Sequence, residues 1–577
     1  MNMSHLRAVI AVALLPGLAA CAGLTSARAP VAPPKAIAEA LPEVTLNSDV
    51  LYDILLGEIA SHRGQINVTA LTLGRVAQRT RDPRVAERAT LAAIYAKQYG
   101  EALQSAQLWA ALRPDDAEAR EALAAVLLEL DRAPEARAHF EKILEVESKR
   151  HNLDQAYPRI AAALSRQSSR AGTLDLMQAL VALHPRVASA HFAFAHLAVR
   201  AGDLERAGTA AERALQLRPG WEEAAQFRAR ILVSQKDTVR AQAFYEVFLQ
   251  EHTGATGTRL NYARFLIDQK QWEKALEQFQ RIVATSPEDA DAIYAVGLLS
   301  LQTNRLTEAE RYFKLVLKLR PTNDQARLYL GQTAEQARRH DEAARWYREI
   351  GPGENYFEAQ ARLGIMIARQ GDVAGARRHL QGIDVENEAQ RVQLALAEEQ
   401  VLREAKQHQA ALDALTHALA GLPGNKDLLY ARALVAEKLN LAEVAERDLR
   451  AILKQDPKNA NALNALGYTL ADRGVHLDEA QTLLREAMLL KPDDPFILDS
   501  YGWLLYRLGN HSEAVKYLRR AIELRSDAEI SAHLGEVLWV TGDRREAESV
   551  WDRALKDTPD NEALIGVINK FREKRKE

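Results

Sequence analysis

The constraint that precedes all others in this chain is a period. Between Ala460 and Pro559 one pattern is stated three times. It has a Gly in a first helix (Gly467, Gly502, Gly535), an Ala opening a second (Ala480, Ala514, Ala547) and a further Ala seven residues on (Ala487, Ala521, Ala554). The Gly markers are 35 and 33 residues apart, and both Ala sets step by 34 and 33. A closing Pro keeps the same step upstream at Pro457, Pro423, Pro321, Pro287, Pro219, Pro185 and Pro114. The opening Ala does so at Ala102, Ala136, Ala207, Ala241, Ala275, Ala309, Ala343, Ala376, Ala411 and Ala445. A large apolar residue follows four positions later at Phe140, Tyr245, Phe279, Phe313, Tyr347 and Trp551.

A fixed period of this size means stacked helix pairs, none of which can bury its apolar face alone. Small residues belong where the two helices of a unit approach closely, and the large residue is expected to fill the gap between neighbouring units. Pro ends the second helix because it cannot continue one. The pattern spans Asp49 to about Asn561 in about 15 units, weakest at Asp49–Asp82 and Asp154–Val187. This resembles the tetratricopeptide repeat, which implies an all-α solenoid, a right-handed superhelix of about 15 helix pairs. Glu562–Glu577 carries Leu564, Val567, Ile568 and Phe571 on one side and charge on the other, as a solvating cap helix would.

Two departures break the regularity: three residues are inserted near Arg150–Leu153, and a unit arrives one residue early at Gly351-Pro352-Gly353. Each reads either as a hinge or as a tolerated loop variation. Taking the first as a boundary, residues 49–153 are N-terminal repeats and 154–561 the main array.

The N-terminus has a different logic. Arg7 precedes an apolar run from Ala8 to Leu18, followed by Leu18-Ala19-Ala20-Cys21. That is the layout of a secretory signal, too short to span a bilayer. The only Cys among 577 residues stands where a cut would expose it. The segment resembles the lipobox of bacterial lipoproteins, which implies removal of residues 1–20 and acylation at Cys21. Ala22 in place of Asp implies outer-membrane sorting. Residues 21–48, rich in Ala and Pro, cannot bury a core and read as a tether.

Catalysis finds little room, since almost every residue belongs to a helix pair. HExxH, GxxxxGK[ST], GxSxG and GxGxxG are all absent, and the 15 His are scattered, with no acidic or Cys partner at metal-ligand spacing beside His151, His191 or His196. Neither cofactor nor metal is expected. The formal charge of -3, with both signs interspersed, lacks the basic face of a nucleic-acid binder. Recognition surfaces remain. In a tetratricopeptide superhelix, residues just after the Gly position of the first helix face the concave groove. These are Tyr468 and Trp503, with Tyr506 one turn on and Asn461, Asn464, Phe496 and Asp499 on the same side. Solvent-facing aromatics mixed with Asn and Asp make a peptide-binding groove; the alternative is that Trp503 and Tyr506 cover neighbouring helices. On the groove reading, Trp503→Ala with Tyr468→Ala is expected to weaken partner binding and leave the helical melt nearly unchanged. The paired Lys, Asn and Arg with which family members clamp a terminal carboxylate do not occupy the corresponding positions.

The lipobox, the near-total repeat content and the segments Asp499-Ser500-Tyr501-Gly502-Trp503 and His533-Leu534-Gly535-Glu536-Val537-Leu538 look like outer-membrane adaptor lipoproteins of carboxy-terminal processing proteases. The resemblance implies a non-catalytic periplasmic scaffold that links such a protease to cell-wall hydrolase substrates. Its membrane contact would be the lipid anchor alone, with no small-molecule substrate. A scaffold for pilus, β-barrel or polysaccharide-export assembly is the alternative.

Overall fold

The structure, a computed structural model, describes Val44 and residues 47–166 and 170–573. The signal segment 1–20, Cys21 and nearly all of the tether lie outside the described residues. Among those described there are 31 helices and no strand. From Ser48–His62 onward they alternate as A and B helices, fifteen of each, and Glu562–Glu573 follows the last pair. The all-α tetratricopeptide-repeat fold expected from the period is the one observed.

The punctuation between units is local chemistry. Pro stops the B helix, and two residues later an Asn or Asp caps the next A helix. Asp289, Asn323, Asn425, Asn459 and Asp494 each accept hydrogen bonds from backbone N–H groups of the first turn that would otherwise be unpaired. These follow Pro287, Pro321, Pro423, Pro457 and Pro492 at a constant offset, so each unit ends and restarts within three residues.

The large residue meets the next unit as expected: the Phe313 ring stacks on Tyr329 at 5.4 Å and Tyr245 on Tyr262 at 5.1 Å, each on the following A helix. It also sits over the small position of its own A helix. A Cβ built on Gly535 would lie 2.0 Å from Trp551 Nε1, and on Gly331 2.3 Å from Tyr347. Gly467 and Gly364 face Leu484 and Leu380 in the same way. Glycine is required there because the partner ring or branched side chain occupies the space a methyl would need. Trp551 and Tyr347 are fully buried as a result.

The chain forms two compact units, one ending at Thr303 and the other beginning at Asn304. The insertion near residue 150 lies inside the first, where it lengthens the B helix Ala133–Lys149 to 17 residues and is tied back by Asn152 Nδ2 donating to Glu147 Oε2 at 2.6 Å. The Gly-Pro-Gly turn lies inside the second, after a B helix, His340–Arg348, of only nine residues. In this second unit a continuous apolar core runs from Val392 to Phe571. Its last helix closes the core with Leu564, Ile568 and Phe571, the Phe571 ring lying 6.1 Å from those of Trp539 and Trp551. No described helix is long and apolar enough to cross a membrane.

Candidate functional site

The A helices spend their packing faces against their own B helix and the B helix of the preceding unit, and several also meet the neighbouring A helix. The side chains left over recur in register with the small position: six and three residues before it, and one and five after it. On Ala460–Arg473 these are Asn461, Asn464, Tyr468 and Asp472, and on Pro495–Arg507 they begin with Phe496, Asp499 and Trp503.

Three successive A helices gather the central members into one cluster. Trp503 Nε1 donates to Asp472 Oδ1 at 3.1 Å, and the indole stacks on the His533 ring with centroids 4.3 Å apart and planes 25° from parallel. His533 Nδ1 lies 3.0 Å from both carboxylate oxygens of Asp499, which is itself buried. Tyr468 Oη is 3.5 Å from His533 Nε2, and the Tyr506 ring is 5.1 Å from that of Trp503. Tyr506 Oη reaches Glu536 Oε1 at 3.4 Å, an oxygen also held by Lys570 Nζ at 3.1 Å.

The electrostatics follow from this enclosure. Burial alone disfavours the His533 imidazolium, but the facing carboxylates of Asp499, Glu529 and Asp472 outweigh it and hold the imidazole above its usual value. Burial pushes the phenols of Tyr468 and Tyr506 up, so both remain protonated donors. Asp472 and Glu529 are exposed beside the half-buried Glu437, and together they form an acidic rim.

The seven positions named from sequence therefore divide. Tyr468, Trp503, Asp499 and Tyr506 come together. Asn461 sits apart at its helix start, accepting from Lys491 Nζ at 3.0 Å, and Phe496 is exposed under the Arg525 guanidinium, 5.0 Å away. Asn464 Oδ1 is buried with no hydrogen-bond partner. The expectation of solvent-facing aromatics fails at Trp503, which is only 6% exposed. The cause is curvature: Lys438, at the end of the A helix Lys426–Lys438, meets Glu529, at the start of Ala528–Thr541, with Nζ to Oε1 at 3.1 Å across 91 residues of sequence. That contact marks the inner side as concave, and there His533, on the A helix next to that of Trp503, covers the indole. Trp503→Ala must then cost stability, and the unchanged melt expected from sequence does not follow. His533 and Asp472 were missed. Asp472 was available from the register, five residues after Gly467, whereas His533, two before Gly535, lies off it.

Comparison with known proteins agrees with the architecture. Models of the tetratricopeptide repeat match residues 232–299, 290–323, 307–355, 430–496, 476–529 and 500–562. A TPR repeat-containing protein of Pseudomonas aeruginosa is 33% identical over 494 residues, which cover 85% of this chain and 83% of that protein. The type IV pilus assembly protein PilF of the same organism is 25% identical over 173 residues, 29% of this chain and 68% of PilF. Among solved structures, the Cut9–Hcn1 hetero-tetramer of the APC/C aligns over 85% of this chain and 97% of its own at 16% identity, with a TM-score of 0.31.

Proposed function

We propose that this chain, which belongs to the tetratricopeptide-repeat family, is a non-catalytic scaffold. It is anchored by lipid at Cys21 to the periplasmic face of the outer membrane, and it presents proteins to one another through the inner faces of its A helices. Mediation of protein–protein contacts is what the repeat family supplies. The anchor rests on the Leu-Ala-Ala-Cys signature and the Ala/Pro-rich tether. The observation that carries the recognition site is the cluster around His533. Fold stability alone gives no reason to bury Asp499 and an imidazole between three helices, because apolar side chains of similar volume pack there without the desolvation cost. Its acidic rim of Asp472, Glu437 and Glu529 favours a partner surface bearing Lys or Arg. The finer reading is an adaptor that delivers cell-wall hydrolases to a carboxy-terminal processing protease. The second reading, envelope assembly of the pilus type, is favoured by the stretch similar to PilF.

Two linked measurements test this. Cys21→Ser should release the protein from outer-membrane fractions into the soluble envelope fraction; continued membrane attachment would remove the anchor. In-cell crosslinking followed by mass spectrometry should recover a serine protease of the processing class. Recovery should be lowered by Asp472→Lys, an exposed change of charge on the rim. Pilus or export components in its place would favour the second reading, and no protein crosslinked to A helices would overturn the scaffold.

A further inference from the structure

The A helices of the N-terminal unit carry a trough of their own. Its volume is about 710 Å³, with Ala161 and Ala162 of the helix Leu153–Leu164 on one side and Phe192 and His196 of the helix Ala188–Ala201 on the other. Trp221, at the cap of the next A helix, closes one end. Phe192 lies 4.6 Å from the rings of both Trp221 and His196, and His196 stacks on the buried Phe227 at 4.0 Å with 24° between planes. The faces of Phe192 and Trp221 left over are half-buried and that of His196 is exposed, so this aromatic surface is not consumed by the core.

Ser189 also lines the trough, and it is the second observation. It is 4% exposed, and its Oγ has no hydrogen-bond partner. Ser189 stands in the first turn of the helix Ala188–Ala201, so the position four residues back, Pro185, lies outside the helix, and the Pro185 carbonyl is engaged by His191 Nε2 at 3.0 Å. On the opposite wall Pro158 has no N–H, so the Asp154 carbonyl lacks its helical donor. A buried hydroxyl and a backbone carbonyl are thus left for a ligand that both donates and accepts, as a peptide backbone does.

Charge supplies the remaining term. Arg218 lies 4.5 Å over the Trp221 ring and 3.2 Å from Asp154 Oδ2, so that pair cancels. Arg200, exposed at the trough margin, forms no ion pair with a described residue. It stands one helical turn beyond His196, about 6 Å along the axis, which is the advance of two residues of extended chain.

We infer that this trough binds an extended peptide segment in which a bulky apolar side chain is followed two residues later by Asp or Glu. The apolar side chain lies between Phe192, His196 and Trp221, the carboxylate meets Arg200, and the backbone on the other side of the apolar residue bonds Ser189 Oγ, which stands one turn before Phe192. The inference rests on the protein-recognition reading above but concerns a different part of the chain and opposite charge.

The test probes the full-length protein with an array of randomised octapeptides. The wild type should enrich aromatic, Leu or Ile side chains followed at the second position by Asp or Glu. Arg200→Glu, an exposed substitution, should weaken binding to the enriched peptides about tenfold, the effect of about one lost ion pair of 1.4 kcal/mol, and shift selection to Lys or Arg at that position. Phe192→Ala should lose the apolar preference and keep the acidic one. Asp472→Lys in the other unit should leave the profile unchanged. An acidic preference that survives Arg200→Glu, or an enriched motif lost in Asp472→Lys, would overturn the trough while leaving protein recognition standing. Selection of no peptide by any form would sink both.

Discussion

Trp503 separates two pictures of the C-terminal unit, an open aromatic groove and a packed polar core, because each assigns it a different free energy. In the packed picture Trp503→Ala removes a side chain that is 6% exposed, stacked on His533 and in contact with Tyr506. Truncating a buried Trp costs about 3–5 kcal/mol through lost transfer and the cavity left behind. The hydrogen bond to Asp472 adds little, since that carboxylate is exposed and rehydrates. The polar neighbours admit water to part of the cavity, so the lower end applies, about 3 kcal/mol. On an open surface the same substitution falls within about 0.5 kcal/mol. Repeat arrays need not unfold in one step, so the readout should be local: amide hydrogen exchange of the helix Pro495–Arg507, followed by mass spectrometry. A loss of about 3 kcal/mol corresponds to roughly 150-fold faster exchange from the opened state. Trp503→Phe, which keeps a ring over His533, should give a much smaller increase. An acceleration under threefold in Trp503→Ala would return the residue to the solvent-facing role and refute the packed core.

Two further outcomes follow from the same contacts. His533 is held above its ordinary imidazole value, so it binds its proton more tightly folded than unfolded. Its contribution is complete below about pH 6.5 and is lost as pH rises through the raised folded value. The urea midpoint followed by Trp fluorescence should therefore fall between pH 6 and pH 8, and the fall should be smaller in Asp499→Asn. Equal falls in both proteins would detach the pH response from this pair. Gly535→Ala forces a methyl into the buried Trp551 ring and should destabilise by about 2–3 kcal/mol, whereas Gly566→Ala, whose Cβ meets nothing within 4 Å, should stabilise by about 1 kcal/mol. Denaturant midpoints shifting in the same direction for both would contradict the notch assigned to Gly535.

The helices were legible because their determinants are local. Pro, the opening Ala and the small position recur at a fixed step, and each acts within a turn of where it stands. Even the notch was written in the sequence as a Gly in one helix and a large residue in the next. What could not be read was that the large residue serves its own unit as well as its neighbour, Trp551 meeting both Gly535 and Phe571. The register of the inner face was equally available: applied to Gly467 and Gly502 it gave Tyr468 and Trp503, and carried to Ala195 it gives Ser189, Phe192, His196 and Arg200. Curvature had no local signature. It shows only in contacts such as Lys438 with Glu529, 91 residues apart; the cover over Trp503 comes from His533, 30 residues on.

The same register thus has opposite outcomes in the two units, and the difference is what lies opposite each ring. Trp503 meets His533, which Asp499 fixes, so the indole is sealed in, and the rim carries three carboxylates, Asp472, Glu437 and Glu529, against the single cation Lys438 on Glu529. Phe192 meets Trp221, Ser189 Oγ has no partner among the described residues, and the charge at that margin without an ion pair to a described residue is the Arg200 guanidinium. One surface favours cationic segments and the other anionic ones. A scaffold whose repeats differed only in packing would offer every partner the same groove, and partners would compete along it. Opposed charge on separate units penalises the wrong pairing at both places at once. On the proposed reading, two different proteins are held by one chain without either displacing the other.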